Sequence, residues 1–160
     1  PWRGTFLRAW EALAALREEG VVTSIGVSNF DAAQVDRLAE ATGVAPVLNQ
    51  VECHPRLQQA RLRAAMRERG IVVQGWTPLG QGRSFADVAP IAGRLGRTPA
   101  QVVLRWQVEI GNAVIPRSVR PERLRENAAI WDFALTAEDH ALIAALEAGD
   151  RCGPDPATFG

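Results

Sequence analysis

The stretch VIPRSVRPERLREN, Val114 to Asn127, runs from strand-like apolar residues straight into a cluster of guanidinium groups. Arg117 and Arg123 are planar forks of the kind that grip a phosphate through paired, charge-assisted hydrogen bonds, and Ser118 adds a hydroxyl. Pro121 stands where a first helical residue tolerates it, so a helix N-terminus with unpaired N–H groups opens beside them. Arg123 and Asn127 lie one helical turn apart and share a face, while Leu124, Ala128 and Trp131 mark the face expected to turn toward the core. These types at this spacing suit a phosphate site at the end of a strand. They also suit a solvated helix in which Glu122 and Glu126 neutralise the arginines.

Other polar groups recur just after strand-like segments. Ser28, Asn29 and Gln50 offer donors and acceptors that match a carboxamide, although Ser and Asn also cap turns. Trp76 presents a broad face on which a planar ring can stack, or a plug for the core. The loop TPLGQG, Thr77 to Gly82, could lay backbone N–H groups against a pyrophosphate, or be a plain turn. Glu52 is the one carboxylate at a strand end, which argues against a glycosidase needing two across a bond.

Composition narrows the partners. Eighteen basic residues balance eighteen acidic ones, so no global field draws the chain to nucleic acid or to an anionic membrane. No apolar run approaches the roughly 20 residues of a membrane span, and no signal peptide opens the chain, so a cytoplasmic location is expected. Cys53 and Cys152 form no metal-ligand spacing with His54 or His140; two free thiols and no metal are expected. There is no Tyr, and every basic residue is Arg.

These groups need a scaffold, and the pattern supplies one. Phe6–Glu19 reads as helix ended by Gly20, Val21–Val27 as a buried strand, and Asp31 with Gln34 as a capping box for a helix closed by Gly43. Val47–Val51 reads as strand, Gln58–Arg69 as helix, and Ile71–Trp76 as strand. A short helix over Phe85–Leu95 follows, then a stronger one started by Thr98-Pro99. Ala113–Pro116 is the last strand, and helices from Pro121 and from Thr136 (boxed with Asp139) precede an irregular tail, RCGPDPATFG. Alternating βα units imply a parallel α/β fold. No Rossmann glycine fingerprint follows a strand, which weighs against a doubly wound sheet. Four strands in 160 residues are too few for a complete barrel, so the expectation is a partial (β/α)8 TIM barrel. It would comprise roughly the last four βα units plus C-terminal helices and tail, forming one incomplete domain over residues 1–160.

The motifs SIGVSNF (Ser24–Phe30), NQVECHP (Asn49–Pro55), GWTPLG (Gly75–Gly80) and IPRSVRPERLREN (Ile115–Asn127) resemble, in order and spacing, the C-terminal half of an aldo-keto reductase. The tail GPDPATF is similar to that of bacterial members acting on small diketones and sugar-derived carbonyls, the diketogluconate-reductase-like group. The resemblance implies a (β/α)8 barrel that binds NADPH and reduces an aldehyde or ketone. Ser28, Asn29 and Gln50 would hold the nicotinamide carboxamide, and Trp76, where many members have Tyr, would stack on its ring. Thr77, Leu79 and Gln81 would line the pyrophosphate. Arg117, where Lys is common, would meet the 2′-phosphate with Ser118 and Arg123, and Glu126 and Asn127 would contact the adenine. Thr23 stands where a basic residue is usual, with no direct effect on binding expected.

The family's tetrad of Asp, Tyr, Lys and His lies in the other half, and Tyr, its proton donor, is missing here together with Lys. A positioned acid must neutralise the oxygen as hydride reaches a carbonyl carbon, so no catalytic residue is assigned to this chain. Two functions are expected from this: the cofactor-binding half of an NADPH-dependent reductase, inactive alone; or a non-catalytic NADP(H)-binding or regulatory protein derived from the same barrel. Unpaired strand edges would favour pairing with an N-terminal barrel half or self-association.

Overall fold

The computed structural model describes residues 5–158. Four strands, β1 (Val27–Ser28), β2 (Leu48–Glu52), β3 (Val72–Trp76) and β4 (Ala113–Val114), form a sheet in the order β1-β2-β3-β4. β1 pairs in parallel with β2, Ser28 opposite Gln50, and β3 pairs in parallel with β4, Gly75 opposite Val114. Parallel neighbours require crossover connections, and helices supply them. These are α2 (Ala32–Thr42) after β1, α3 (Ala60–Glu68) after β2, and α4 (Phe85–Leu95) with α5 (Pro99–Glu109) after β3. α1 (Phe6–Glu18) precedes the sheet; α6 (Pro121–Ala128) and α7 (Ala137–Ala144) follow it.

Contacts group the chain into two compact units. The first comprises the chain through Val51, Ala60–Val73, and the tail from Gly153; Phe159 of the tail motif lies outside the described residues. Its core has two clusters: Trp10, Ile25 and Leu38 under α1 and α2, and Val35, Val51, Met66, Ile71 and Val73. Trp10 is anchored at its polar edge, where the indole N–H donates to Val44 O at 3.0 Å. Asp31 and Gln34 form the expected capping box, and Gly43 closes α2 in the left-handed conformation. Gly26 is required because a Cβ there would sit 2.8 Å from Leu48 O, so β1 can approach β2 only through a residue without a side chain.

The second unit comprises Glu52–Gln59 and Gln74–Cys152. Val88, Ile91, Ala92, Val102, Val103, Trp106 and Ile143 make its apolar core, which draws on α4, α5 and α7. Capping boxes at Thr98/Gln101 and Thr136/Asp139 start α5 and α7.

Three expectations are corrected. The strand read over Val21–Val27 reduces to Val27–Ser28, because the N–H groups of Val21 and Val22 both turn back to Leu16 O at the end of α1. The helix read from Gln58 starts at Ala60: Gln59 has φ 52, and Gln58 is buried with its amide on Pro55 O and Ile143 O. The face of α6 expected to meet the core does not, since Leu124 is 49% and Trp131 69% exposed. α6 is held to α5 by polar contacts instead. Thr98 hydroxyl donates to Glu126 at 2.6 Å, and Gln101 Nε2 donates to Ala129 O at 2.8 Å and Glu126 O at 3.2 Å.

Candidate cofactor-binding site

In the first unit the trio read from the sequence comes together around one carbonyl. Ser28 hydroxyl and Asn29 N–H both donate to Gln50 O at 2.9 Å, so the end of β1 is locked to the end of β2. Asn29 follows the strand with φ 61. The segment is held from behind by Asn49, fully buried, whose Nδ2 donates to Phe30 O at 2.8 Å and whose Oδ1 accepts the Phe30 N–H at 3.4 Å. Nothing in the sequence marks this clamp, since Asn49 looks like one more strand-end amide.

In the second unit β3 ends at Trp76, half-buried, and Thr77 follows with φ 50. Gln81 also has positive φ, 56, inside the short 3-10 turn Gly80–Gly82. A β-branched residue in this region costs on the order of 1–2 kcal/mol and persists only where the surroundings enforce it. Among the described residues four non-glycines have positive φ, and three of them, Asn29, Thr77 and Gln81, belong to the set read from the sequence.

The glycine loop does not offer all the N–H groups the sequence suggested. Gly80 N–H donates to Thr77 O and Gly82 N–H to Leu79 O, both at 2.8 Å, because the loop winds into successive tight turns. Leu79 packs its side chain against the apolar core of this unit, which fixes the loop from beneath.

At the end of β4, Arg117 is exposed and Ser118 half-buried. Ser118 Oγ accepts the Arg120 N–H at 3.1 Å, forming the turn that leads into α6. α6 begins with Pro121 and no side chain caps its N-terminus. Arg123 is exposed, and among the described residues neither Arg117 nor Arg123 has an ion-pair partner. Glu126 accepts a hydrogen bond from the Thr98 hydroxyl. Asn127, one turn after Arg123, is half-buried.

His54, the remaining strand-end residue able to donate a proton, is buried at 1% exposure with Nε2 3.1 Å from Glu52 Oε1. It faces no open surface from which to serve a substrate.

The profile of the Aldo/keto reductase family matches residues 4–148. An aldo-keto reductase of Mycolicibacterium smegmatis is 47% identical over 99% of the chain, and methylglyoxal reductase DkgA of Salmonella typhimurium is 45% identical over 97%. The chain spans 58% of the length of each of these relatives. Crystal structures of Gox0644, as the apoform and as a mutant in complex with NADPH, superpose on the whole chain with TM-score 0.95 at 44% identity, and the chain covers 60% of each. The order of the sheet, the strand-end groups and these matches together establish that the chain belongs to the aldo/keto reductase family.

Proposed function

We propose that this chain is the NADPH-holding part of an aldo-keto reductase that converts a small aldehyde or ketone to an alcohol. The observation that carries the reading is that Arg117 and Arg123, at the uncapped N-terminal end of α6, have no ion-pair partner among the described residues. Guanidinium groups left without carboxylate partners beside a helix N-terminus suit a dianionic phosphate. The nicotinamide of the Gox0644 complex partner, NADPH, and the methylglyoxal in the name of DkgA indicate the cofactor and one substrate class.

The residues fit the group. Positive-φ backbone at Asn29, Thr77 and Gln81 falls at three of the positions assigned to it, and such conformations cluster at ligand sites. Ser28, Asn29 and Gln50 would bind the carboxamide, and Trp76 would stack against the ring. Thr77, Leu79 and Gln81 would line the pyrophosphate, Arg117, Ser118 and Arg123 the 2′-phosphate, and Glu126 and Asn127 the adenine. When bound, the cofactor supplies hydride to the carbonyl carbon. The chain's own groups bind and orient it; none of them is placed to protonate the oxygen, since Tyr and Lys are absent and His54 is enclosed. The acid comes from further polypeptide, which would also complete a (β/α)8 barrel.

A titration with NADPH followed by tryptophan quenching tests this, together with NADPH oxidation in the presence of methylglyoxal. Saturable binding without turnover is expected from the 160 residues. Absence of binding overturns the cofactor assignment, and turnover overturns the assignment of the acid to another segment.

A further inference from the structure

Glu52, His54 and Cys152 meet in the second unit. His54 Nε2 lies 3.1 Å from Glu52 Oε1 and 3.6 Å from Cys152 Sγ, and the three atoms fall within 4.8 Å of one another. Glu52 and His54 are each 1% exposed, and Cys152 is half-buried at the surface of the cluster. Each atom carries a lone pair. A single imidazole nitrogen cannot serve both neighbours well. With a proton on Nε2 it donates to Glu52 and leaves the thiol a poor partner; without one, its lone pair opposes the carboxylate.

We propose that Glu52 Oε1, His54 Nε2 and Cys152 Sγ form a binding site for a thiophilic divalent cation of the zinc class. A tetrahedral ion with bonds of about 2.0–2.3 Å to O, N and S keeps its ligand atoms roughly 3.3–3.6 Å apart, close to the 3.1 and 3.6 Å separations from His54 Nε2. Carboxylate, imidazole and thiolate are the ligand types such an ion takes, with water filling the fourth position at the open Cys152 side. The carboxylate and a thiolate together carry the two negative charges that match a divalent ion. Ligation would take the sulfur as thiolate and the imidazole through Nε2.

The ligands are oriented by their surroundings. The Cys152 N–H donates to Glu52 Oε1, bringing the tail back onto the end of β2. Arg151 Nη1 stands 3.8 Å from the other oxygen, Glu52 Oε2, and fixes that carboxylate from its outer side. Gly80 lies over the imidazole so closely that a Cβ there would sit 3.0 Å from His54 Cγ, which holds the ring in place. The ion would tie Cys152 to His54, 98 residues away in sequence. None of this depends on NADPH.

Cobalt is the probe, because thiolate ligation gives a near-ultraviolet charge-transfer band that zinc displaces. The full chain, reduced and freed of metal, is titrated with Co2+ alone, alongside Cys152→Ser and Cys53→Ser. The proposal expects a stoichiometric thiolate band in the parent and in Cys53→Ser, bleached by Zn2+. It expects that band to be lost in Cys152→Ser, with Co2+ affinity at least about tenfold weaker. Because Cys152 is half-buried and near the chain's end, its serine variant keeps the fold, checked by circular dichroism. No thiolate band in the parent, or a band that survives in Cys152→Ser, overturns the site.

Discussion

Replacing Arg117 by Ala separates a nucleotide-binding role from a structural one. Arg117 is exposed and has no ion-pair partner among the described residues, so the chain loses little of its own stability, within about 0.5 kcal/mol. On the proposed reading, it loses one guanidinium contact to the 2′-phosphate. A hydrogen bond to a charged group contributes roughly 1.5–3 kcal/mol, which weakens NADPH binding by roughly 10- to 150-fold. NADH lacks the 2′-phosphate and should bind the variant and the parent within about twofold of each other. Two tryptophan-quenching titrations at fixed ionic strength, with a thermal melt of each protein, give the comparison. Salt must be held constant, because exposed charge contacts weaken with screening. Equal loss for NADPH and NADH refutes the assignment of Arg117 to the phosphate. A melt shifted by several degrees refutes the claim that its side chain is idle in the fold.

Two further outcomes follow from buried polar groups. Gln107 is fully buried, donating to Cys53 O at 2.5 Å and accepting from Asn112 Nδ2 at 2.6 Å. Gln107→Leu strands both partners and should cost roughly 2–3 kcal/mol in urea unfolding, whereas an unchanged midpoint would show that water replaces the amide. Glu109 sits among Arg105, His140 and the Leu135 N–H; burial alone would raise its carboxyl, but those partners outweigh it and hold it below the usual range. A depressed carboxyl stabilises the fold above its unfolded pKa and loses that contribution as pH falls through the folded value. Glu109→Gln should therefore be less stable than the parent at pH 7, with the gap closing on acidification below the ordinary carboxylate range. A gap constant with pH would show that packing, not charge, holds that corner.

Local signals in the sequence carried over well. The capping boxes at Asp31 and Thr136, and the Pro99 start after Thr98, are short-range geometry that residue type dictates. Ser28, Asn29 and Gln50 were legible as a group because two successive strand ends present them, and the structure joins them at Gln50 O. What was hidden depends on tertiary contact. The β-branched run at Val21–Val22 looks like a strand until Leu16 O takes its N–H groups. The apolar spacing of Leu124, Ala128 and Trp131 predicts a buried face, but nothing in that spacing reveals that Thr98 and Gln101 hold α6 by its polar side. Asn49, Gln101 and Gln107 are buried polar residues, and hydropathy reads such positions as surface. Cys152 and His54 are distant in sequence, so no spacing rule pairs them.

The polar fastening of α6 has a thermodynamic consequence. A segment held by Thr98 and Gln101 rather than by oily burial uncovers little apolar area when it lifts away. Its opening then carries a small heat-capacity increment and a shallow dependence on denaturant, in contrast to global unfolding. Amide hydrogens of α6 should thus exchange by a route that low urea barely accelerates, while those of Val102 and Val103 wait for the whole unit to come apart.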